Sequence, residues 1–255
     1  MFLAWRQYEV WWYCSSLHAA GKLSGEKLQV AEQTPKVPVP LGGDEDLLVI
    51  FSPSHITRMV PVVCVTIVEN VTLDGVYQAP AGADEDTRGG FTKGGWAAPY
   101  SDETMLRELG VGSGPLSDLL FGRRTYEHFA SVWPHMPQPN PFTDILNNSQ
   151  KWVASRTLGE PLEWMHSTVL DGSAGEAVGA LKQSPGPDIV VLGSGELVQT
   201  LLRHGLVDEI KLSIHPLVLG TGRRLFRDGS ALGAFTLVKA VPTPKGVVIA
   251  TYRPG

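Results

Sequence analysis

From residue 60 onward, apolar and polar positions fall into blocks that alternate in character along the chain. Residues 61–70, PVVCVTIVEN, form a dense β-branched run with the composition of a buried strand. Further apolar or β-branched runs recur at 152–155, 188–192, 210–214, 235–241 and 247–252. Helical stretches separate most of them. Residues 101–109 open with Ser101-Asp102-Glu103, suited to an N-cap and to the positive end of a helix dipole. Residues 125–133 follow a Gly-Arg-Arg turn, and residues 173–181 carry the capping box Ser173/Glu176. Residues 195–204 stop at Gly205, a residue that terminates helices well. Strands alternating with single helices need crossover connections, and crossovers build parallel pairs. Only PTPKG separates the last two runs, which therefore predict an antiparallel hairpin. The expected fold class is α/β, with a mixed, mostly parallel sheet flanked by helices and an antiparallel C-terminal hairpin.

Residues 1–59 read differently. Trp5, Tyr8, Trp11, Trp12 and Tyr13 crowd the start, followed by a polar segment, a proline-rich piece and the acidic turn GGDED. No period of 3.6 or 2 is sustained there, so a poorly structured N-terminal extension is expected over 1–59 and one domain over 60–255. The aromatic cluster fits a docking arm. The simpler reading is a disordered extension, or residues upstream of a natural start at Met59.

Composition narrows the function classes. With 43% hydrophobic residues, the chain has material for a sizeable core. A net charge of −5 argues against a nucleic-acid surface, which needs clustered Lys and Arg. Two cysteines, Cys14 and Cys64, build neither a disulfide framework nor a thiolate zinc site, so a reducing, cytoplasmic setting is expected. No apolar run approaches the roughly 18 residues of a membrane span, and no metal site is expected. Five histidines, His128, His135, His166, His204 and His215, show no ligand spacing and read as packed or solvated residues.

Three short motifs carry candidate chemistry. In Phe121-Gly122-Arg123-Arg124-Thr125, an apolar run meets a glycine and a helix begins, so free amides and two arginines converge where an anion is stabilised. The same residues suit a capped surface helix. In Leu192-Gly193-Ser194-Gly195-Glu196-Leu197, a strand passes through Gly-Ser-Gly directly into a helix, again favouring a phosphate, or simply forming a tight turn. Val198 breaks the G-x-G-x-x-G fingerprint, so a Rossmann assignment does not follow. In Ser155-Arg156-Thr157, two hydroxyls and a guanidinium follow a strand, a receptor for a phosphate monoester or an ordinary polar loop. A phosphorylated nicotinamide dinucleotide carries a pyrophosphate and a separate ribose phosphate, and three anion sites at strand ends would match it.

At these residues the sequence resembles the dihydrofolate reductase-like superfamily. It is most similar to the C-terminal reductase domain of the riboflavin-biosynthesis deaminase-reductase and its stand-alone relatives. The resemblance rests on VTLDGVYQAP (71–80), DEDTRGGFTKGGW (84–96), FGRRTYEHFASVWP (121–134), KWVASRTL (151–158) and residues 189–226. It implies NADPH as cofactor. Gly122, Arg123, Arg124 and Thr125 would hold the dinucleotide phosphates, and Ser155, Arg156 and Thr157 would face the 2′-phosphate. Gly193, Ser194, Gly195 and Glu196 would lie against the pyrophosphate and nicotinamide ribose, with Leu197 beside them, while Leu73-Asp74-Gly75 would border the substrate. It also implies a homodimer and a small heterocyclic substrate, a 5-amino-6-(5-phosphoribosylamino)uracil-like pyrimidine or a pterin. The H-x-E and P-C-x-x-C motifs of the deaminase half do not occur in the sequence.

The proton source is less defined. Folate reductases have a Trp-x-x-Pro-x-acid run; here Trp96-Ala97-Ala98-Pro99-Tyr100-Ser101-Asp102 brings the acid one residue late. Asp102 is thus one candidate acid and an ordinary helix-start aspartate besides. Asp74 and Glu196 are the others. Residues 84–96, rich in glycine, are expected to lie over the substrate as a mobile lid. The alternative from another class is a non-catalytic nucleotide-binding homodimer that keeps the phosphate sites without the acid.

Overall fold

A computed structural model of the protein describes residues 63–109, 117–136, 140–230 and 233–255. The extension expected over 1–59 lies outside the described residues. Eight strands form one sheet: β1 (Val65–Thr72), β2 (Asp118–Gly122), β3 (Lys151–Ala154), β4 (Ser167–Val169), β5 (Ile189–Val191), β6 (Glu209–His215), β7 (Phe235–Pro242) and β8 (Val248–Pro254). Their order is β4-β3-β2-β5-β1-β6-β8-β7. The first six run parallel, β8 is antiparallel to β6, and β7 closes the predicted hairpin onto β8. Five α-helices accompany the sheet among the described residues: α1 (Glu103–Glu108), α2 (Arg123–Val132), α3 (Pro141–Asn148), α4 (Ala174–Gln183) and α5 (Gly195–Arg203).

Successive strand residues face opposite sides, so one strand serves two cores. On β2, Leu120 joins Val65, Ile67 and Val191 under Val178 of α4 and Val198 and Leu201 of α5. Its neighbours Leu119 and Phe121 turn the other way, packing with Val153, Tyr126 of α2 and Leu146 of α3. β1 alternates likewise: Val65, Ile67, Glu69 and Val71 are buried, while Thr66, Val68 and Asn70 are half-buried. One acid therefore occupies a position that the pattern reserves for apolar side chains.

The helix signals place the caps. Ser173 accepts from the Glu176 amide at 3.3 Å and donates to its carboxylate at 2.7 Å. Gly205 follows α5 at φ +62°, a conformation that glycine adopts without a Cβ clash. β4 and α3 were not visible in the apolar pattern, and β2 is the apolar run that meets Gly122. α3 is capped by Asn140, whose Oδ1 accepts from the amides of Phe142 (3.0 Å) and Thr143 (3.4 Å). Its other end is closed by Lys151 on β3, fully buried, whose ammonium donates to the carbonyls of Leu146 (2.7 Å), Ser149 (2.7 Å) and Asn147 (3.3 Å). Burial pulls that amine down to about pKa 8, and the Trp164 ring centroid lies 4.7 Å from it.

Candidate active site

In a parallel sheet the strand ends that face the helix N-termini gather at one edge, and ligands lodge there. Here β3, β2 and β5 are consecutive neighbours, so the three turns that leave them are adjacent. Gly122, the last residue of β2, pairs in register with Ala154 at the end of β3, and Ser155-Arg156-Thr157 follows. On its other side, the Gly122 amide donates to the Gly193 carbonyl at 3.2 Å. GRRT, SRT and GSG thus lie along one edge of the sheet.

Close backbone packing explains the glycines. A Cβ on Gly122 would stand 2.6 Å from Ser194 Oγ, and one on Gly195 would stand 2.5 Å from the Tyr77 ring. Gly193, at φ +76°, leaves room for Thr125 Oγ1 at 3.2 Å and Glu69 Oε1 at 3.4 Å from the missing Cβ. Neither α2, starting after Gly122, nor α5, starting after Ser194, has a side-chain cap at its N-terminus. Their first-turn amides keep the partial positive charge that suits a phosphate. Arg123 is engaged by Glu127 at 2.9 Å, whereas Arg124 is exposed and makes no ion pair among the described residues. Ser155 Oγ accepts from the amides of Thr157 (3.1 Å) and Leu158 (2.9 Å), which shapes the loop and leaves Arg156 and Thr157 exposed. An open row of amides, two arginines and glycines with no spare volume fits a phosphorylated dinucleotide.

Beside these turns opens a cleft of about 740 Å³, with Thr125, Gly193, Ser194, Glu69 and Asn70 on its walls. The segment expected as a lid, residues 84–96, contributes residues 84–88 to it. That segment is anchored. Phe91 and Trp96 are buried in a small core with Val76, and Trp96 donates to the Gln78 carbonyl at 2.8 Å. Gln78 in turn donates to the carbonyls of Asp86 (3.0 Å) and Arg88 (2.9 Å).

The three sequence-predicted acids lie apart from the cleft walls and already have partners. Asp74 accepts from Thr72 Oγ1 (2.6 Å) and from the amides of Leu219 (3.2 Å) and Gly220 (2.9 Å). Desolvation raises its pKa, but these hydrogen bonds outweigh it and hold the carboxyl at about 2. It ties the loop after β1 to the loop after β6. Asp102 is the N-cap of α1, accepting from the Met105 amide at 2.9 Å, a bond that lowers its pKa. The acid that comes one residue late thus caps a helix, and Ser101 lines the cleft in its place. Glu196 is exposed and paired with Arg227 at 2.9 Å, beside a separate cavity of about 370 Å³. Leu197 belongs to the core with Val198 and Leu201 rather than to a ligand wall.

Sequence reasoning passed over Glu69. Its pKa is raised to about 8, chiefly by burial and further by the charge of Glu85, so it is protonated at neutral pH. The available signal was an acid within a β-branched run. Next to it, Asn70 Oδ1 lies 3.0 Å from His215 Nε2, and burial pushes that imidazole down to about 4. No group of His, Cys, Asp and Glu able to hold a metal occurs among the described residues, and none of their helices is long and apolar enough to cross a membrane.

The mixed sheet and the turn-lined edge define a dihydrofolate reductase-like fold. Dihydrofolate reductase from Enterococcus faecalis, solved with NADP(H) and RAB-propyl, aligns with 75% of this chain and 96% of its own, with TM-score 0.50 and 15% identity. A pyrimidine reductase-like protein from Corynebacterium diphtheriae NCTC aligns with 76% of this chain and 92% of its own, with TM-score 0.53 and 14% identity. Residues 63–249 match the model of the RibD C-terminal domain, and the chain belongs to that family, one of riboflavin-type reductases. It is also similar to the uncharacterized protein YyaP of Bacillus subtilis (strain 168), at 31% identity over 141 residues, 54% of this chain and 74% of YyaP.

Proposed function

We propose that this domain is an NADPH-dependent reductase of a small heterocycle, a 5-amino-6-(5-phosphoribosylamino)uracil-like pyrimidine or a pterin. The observation that carries the reading is the adjacency of three anion-receptive turns on β3, β2 and β5 beside a cleft large enough for a ring. NADPH, when bound, supplies the hydride; the protein contributes orientation and a surface shielded from water. Gly122, Arg123, Arg124 and Thr125 would hold backbone phosphates with the α2 amides. Ser155, Arg156 and Thr157 would take the 2′-phosphate, with Arg156 as the charged member. Gly193, Ser194 and Gly195 would lie against the pyrophosphate and nicotinamide ribose. Glu196 and Leu197 would brace that turn, one through Arg227 and the other through the core.

The working form in this reading is a cytoplasmic homodimer. The exposed face of β7, with Leu237 at 52% and Val238 at 49% exposure, supports an apolar subunit contact. The test is an NADPH titration followed by oxidation assays across a panel of pterins and aminopyrimidines. Saturable binding with turnover of one of them is expected. Binding without turnover of any would favour a non-catalytic nucleotide-binding homodimer, and no binding would remove the reading.

A further inference from the structure

The reduction needs a proton as well as a hydride, and the sequence-predicted acids are committed elsewhere. Glu69 is different. It is 7% exposed, it is one of the residues that line the cleft, and its Oε1 is buried without a hydrogen-bond partner among the described residues. A buried polar atom left unpaired costs about 1–3 kcal/mol, so a fold that keeps one gains nothing in stability from it. That oxygen lies against the Gly193 turn, 3.4 Å from where a Cβ would stand, next to Thr125.

We propose that Glu69 is the proton donor of the reduction, a role that rests on the reductase reading above. The substrate's polar double bond, C=N or C=O, receives hydride at carbon from NADPH while its π pair moves to the heteroatom. The heteroatom takes the Glu69 proton, and the carboxylate left behind is reprotonated from solvent through the cleft. The balance is one hydride and one proton added to the substrate and NADP⁺ released.

The groups around Glu69 suit the task. Glu85, from the 84–88 segment, disfavours a negative charge on it, while Tyr77, from the loop after β1, faces it as a neutral phenol whose pKa is raised by burial and further by Glu69. Arg88 on the same segment is occupied by Asp86 through a 2.6 Å hydrogen bond. β6 places the apolar Leu212 opposite it in register, and Thr125 and Gly193 bring no titratable group. The proton therefore stays on the carboxyl at neutral pH, where a general acid must hold it.

The test compares the full chain with Glu69→Gln and Glu69→Asp. In the ligand-free protein, an infrared pH titration is expected to show a protonated carboxyl that ionises near pH 8, absent from Glu69→Gln. NADPH affinity is expected to agree within about twofold across the three proteins, since the phosphate sites are intact. With the substrate that the panel identifies, Glu69→Gln should lose about 100-fold or more in kcat/KM together with the alkaline limb of the pH profile, and Glu69→Asp should retain that limb. Wild-type turnover and pH dependence in Glu69→Gln would overturn the proposal, as would the absence of the titrating carboxyl. Failure of the wild type itself to bind NADPH would instead strike the reductase reading, and this role with it.

Discussion

Nε2 of His215 lies 3.0 Å from Oδ1 of Asn70, and the imidazole stands edge-on to Trp96 and Tyr100 at 5.1 and 5.6 Å. Pairing with an amide oxygen requires the proton on Nε2, so a neutral histidine orients Asn70, a residue of the cleft wall. Burial lowers the imidazole pKa from 6.5 to about 4. The unfolded chain takes up a proton below about pH 6.5, and the folded chain does not until about 4. Stability from this group is present above 6.5 and is lost as pH falls toward 4. Between pH 7 and 4.5, urea denaturation should show the wild type losing up to about 3 kcal/mol more than His215→Gln, a comparison in which the other titrating groups cancel.

Glu69 gives the opposite slope. Its folded pKa of about 8 exceeds the unfolded value of 4.5, so its contribution is intact below 4.5 and declines as pH rises to 8. Glu69→Gln should therefore melt higher than the wild type at pH 8, by an amount worth about 2–5 kcal/mol, and the difference should shrink toward pH 4.5. A pH-independent difference would mean that the carboxyl is not the titrating group.

Arg156 is exposed on its loop and makes no ion pair among the described residues. Arg156→Ala should weaken NADPH by about 10- to 100-fold, the worth of a charge-assisted phosphate contact, and leave NADH nearly unchanged. Equal losses for both in a fluorescence titration would exclude the 2′-phosphate role.

Gly195 and Gly159 make a matched pair. A Cβ on Gly195 meets the Tyr77 ring at 2.5 Å, whereas one on Gly159 meets nothing within 4 Å. Gly195→Ala should cost about 1–3 kcal/mol, since Tyr77 is wedged between the turn and the core, while Gly159→Ala should stay within about 0.5 kcal/mol. Thermal melts of the two variants decide it.

Lys151→Met removes an ammonium that satisfies three carbonyls. Methionine fills the volume but donates nothing, so a loss of about 2–4 kcal/mol is expected in chemical denaturation. Hydrogen exchange should quicken first in α3.

Much of this architecture was legible along the chain. The dense run that becomes β1, the PTPKG hairpin and the caps at Ser173 and Gly205 each express a local rule, and the structure follows them. β2 is legible as the apolar run before Gly122, although only three of its five residues are apolar. α3 was hidden in a stretch rich in proline and asparagine, although Asn140-Pro141 is a good cap and first position. The glycine turns were legible as motifs, and their adjacency came from the strand order. Glu69 was not legible as a site, since its carboxyl meets the Gly193 turn, more than 120 positions later. Asp102 shows the converse: its role is local, and the capping rule identifies it where the pterin-acid pattern does not.

The position of β1 carries a kinetic consequence. It is the earliest strand among the described residues, yet its partners are β5 and β6, with Val65 matched to Ile189 and Thr66 to Glu209. During synthesis it stays without a strand neighbour until β5 has emerged and is flanked on both sides only after β6, so its assembly closes long loops and is slow. A chain interrupted before Ile189 would leave two bare edges on a β-branched segment, a template for aggregation rather than a foldable fragment.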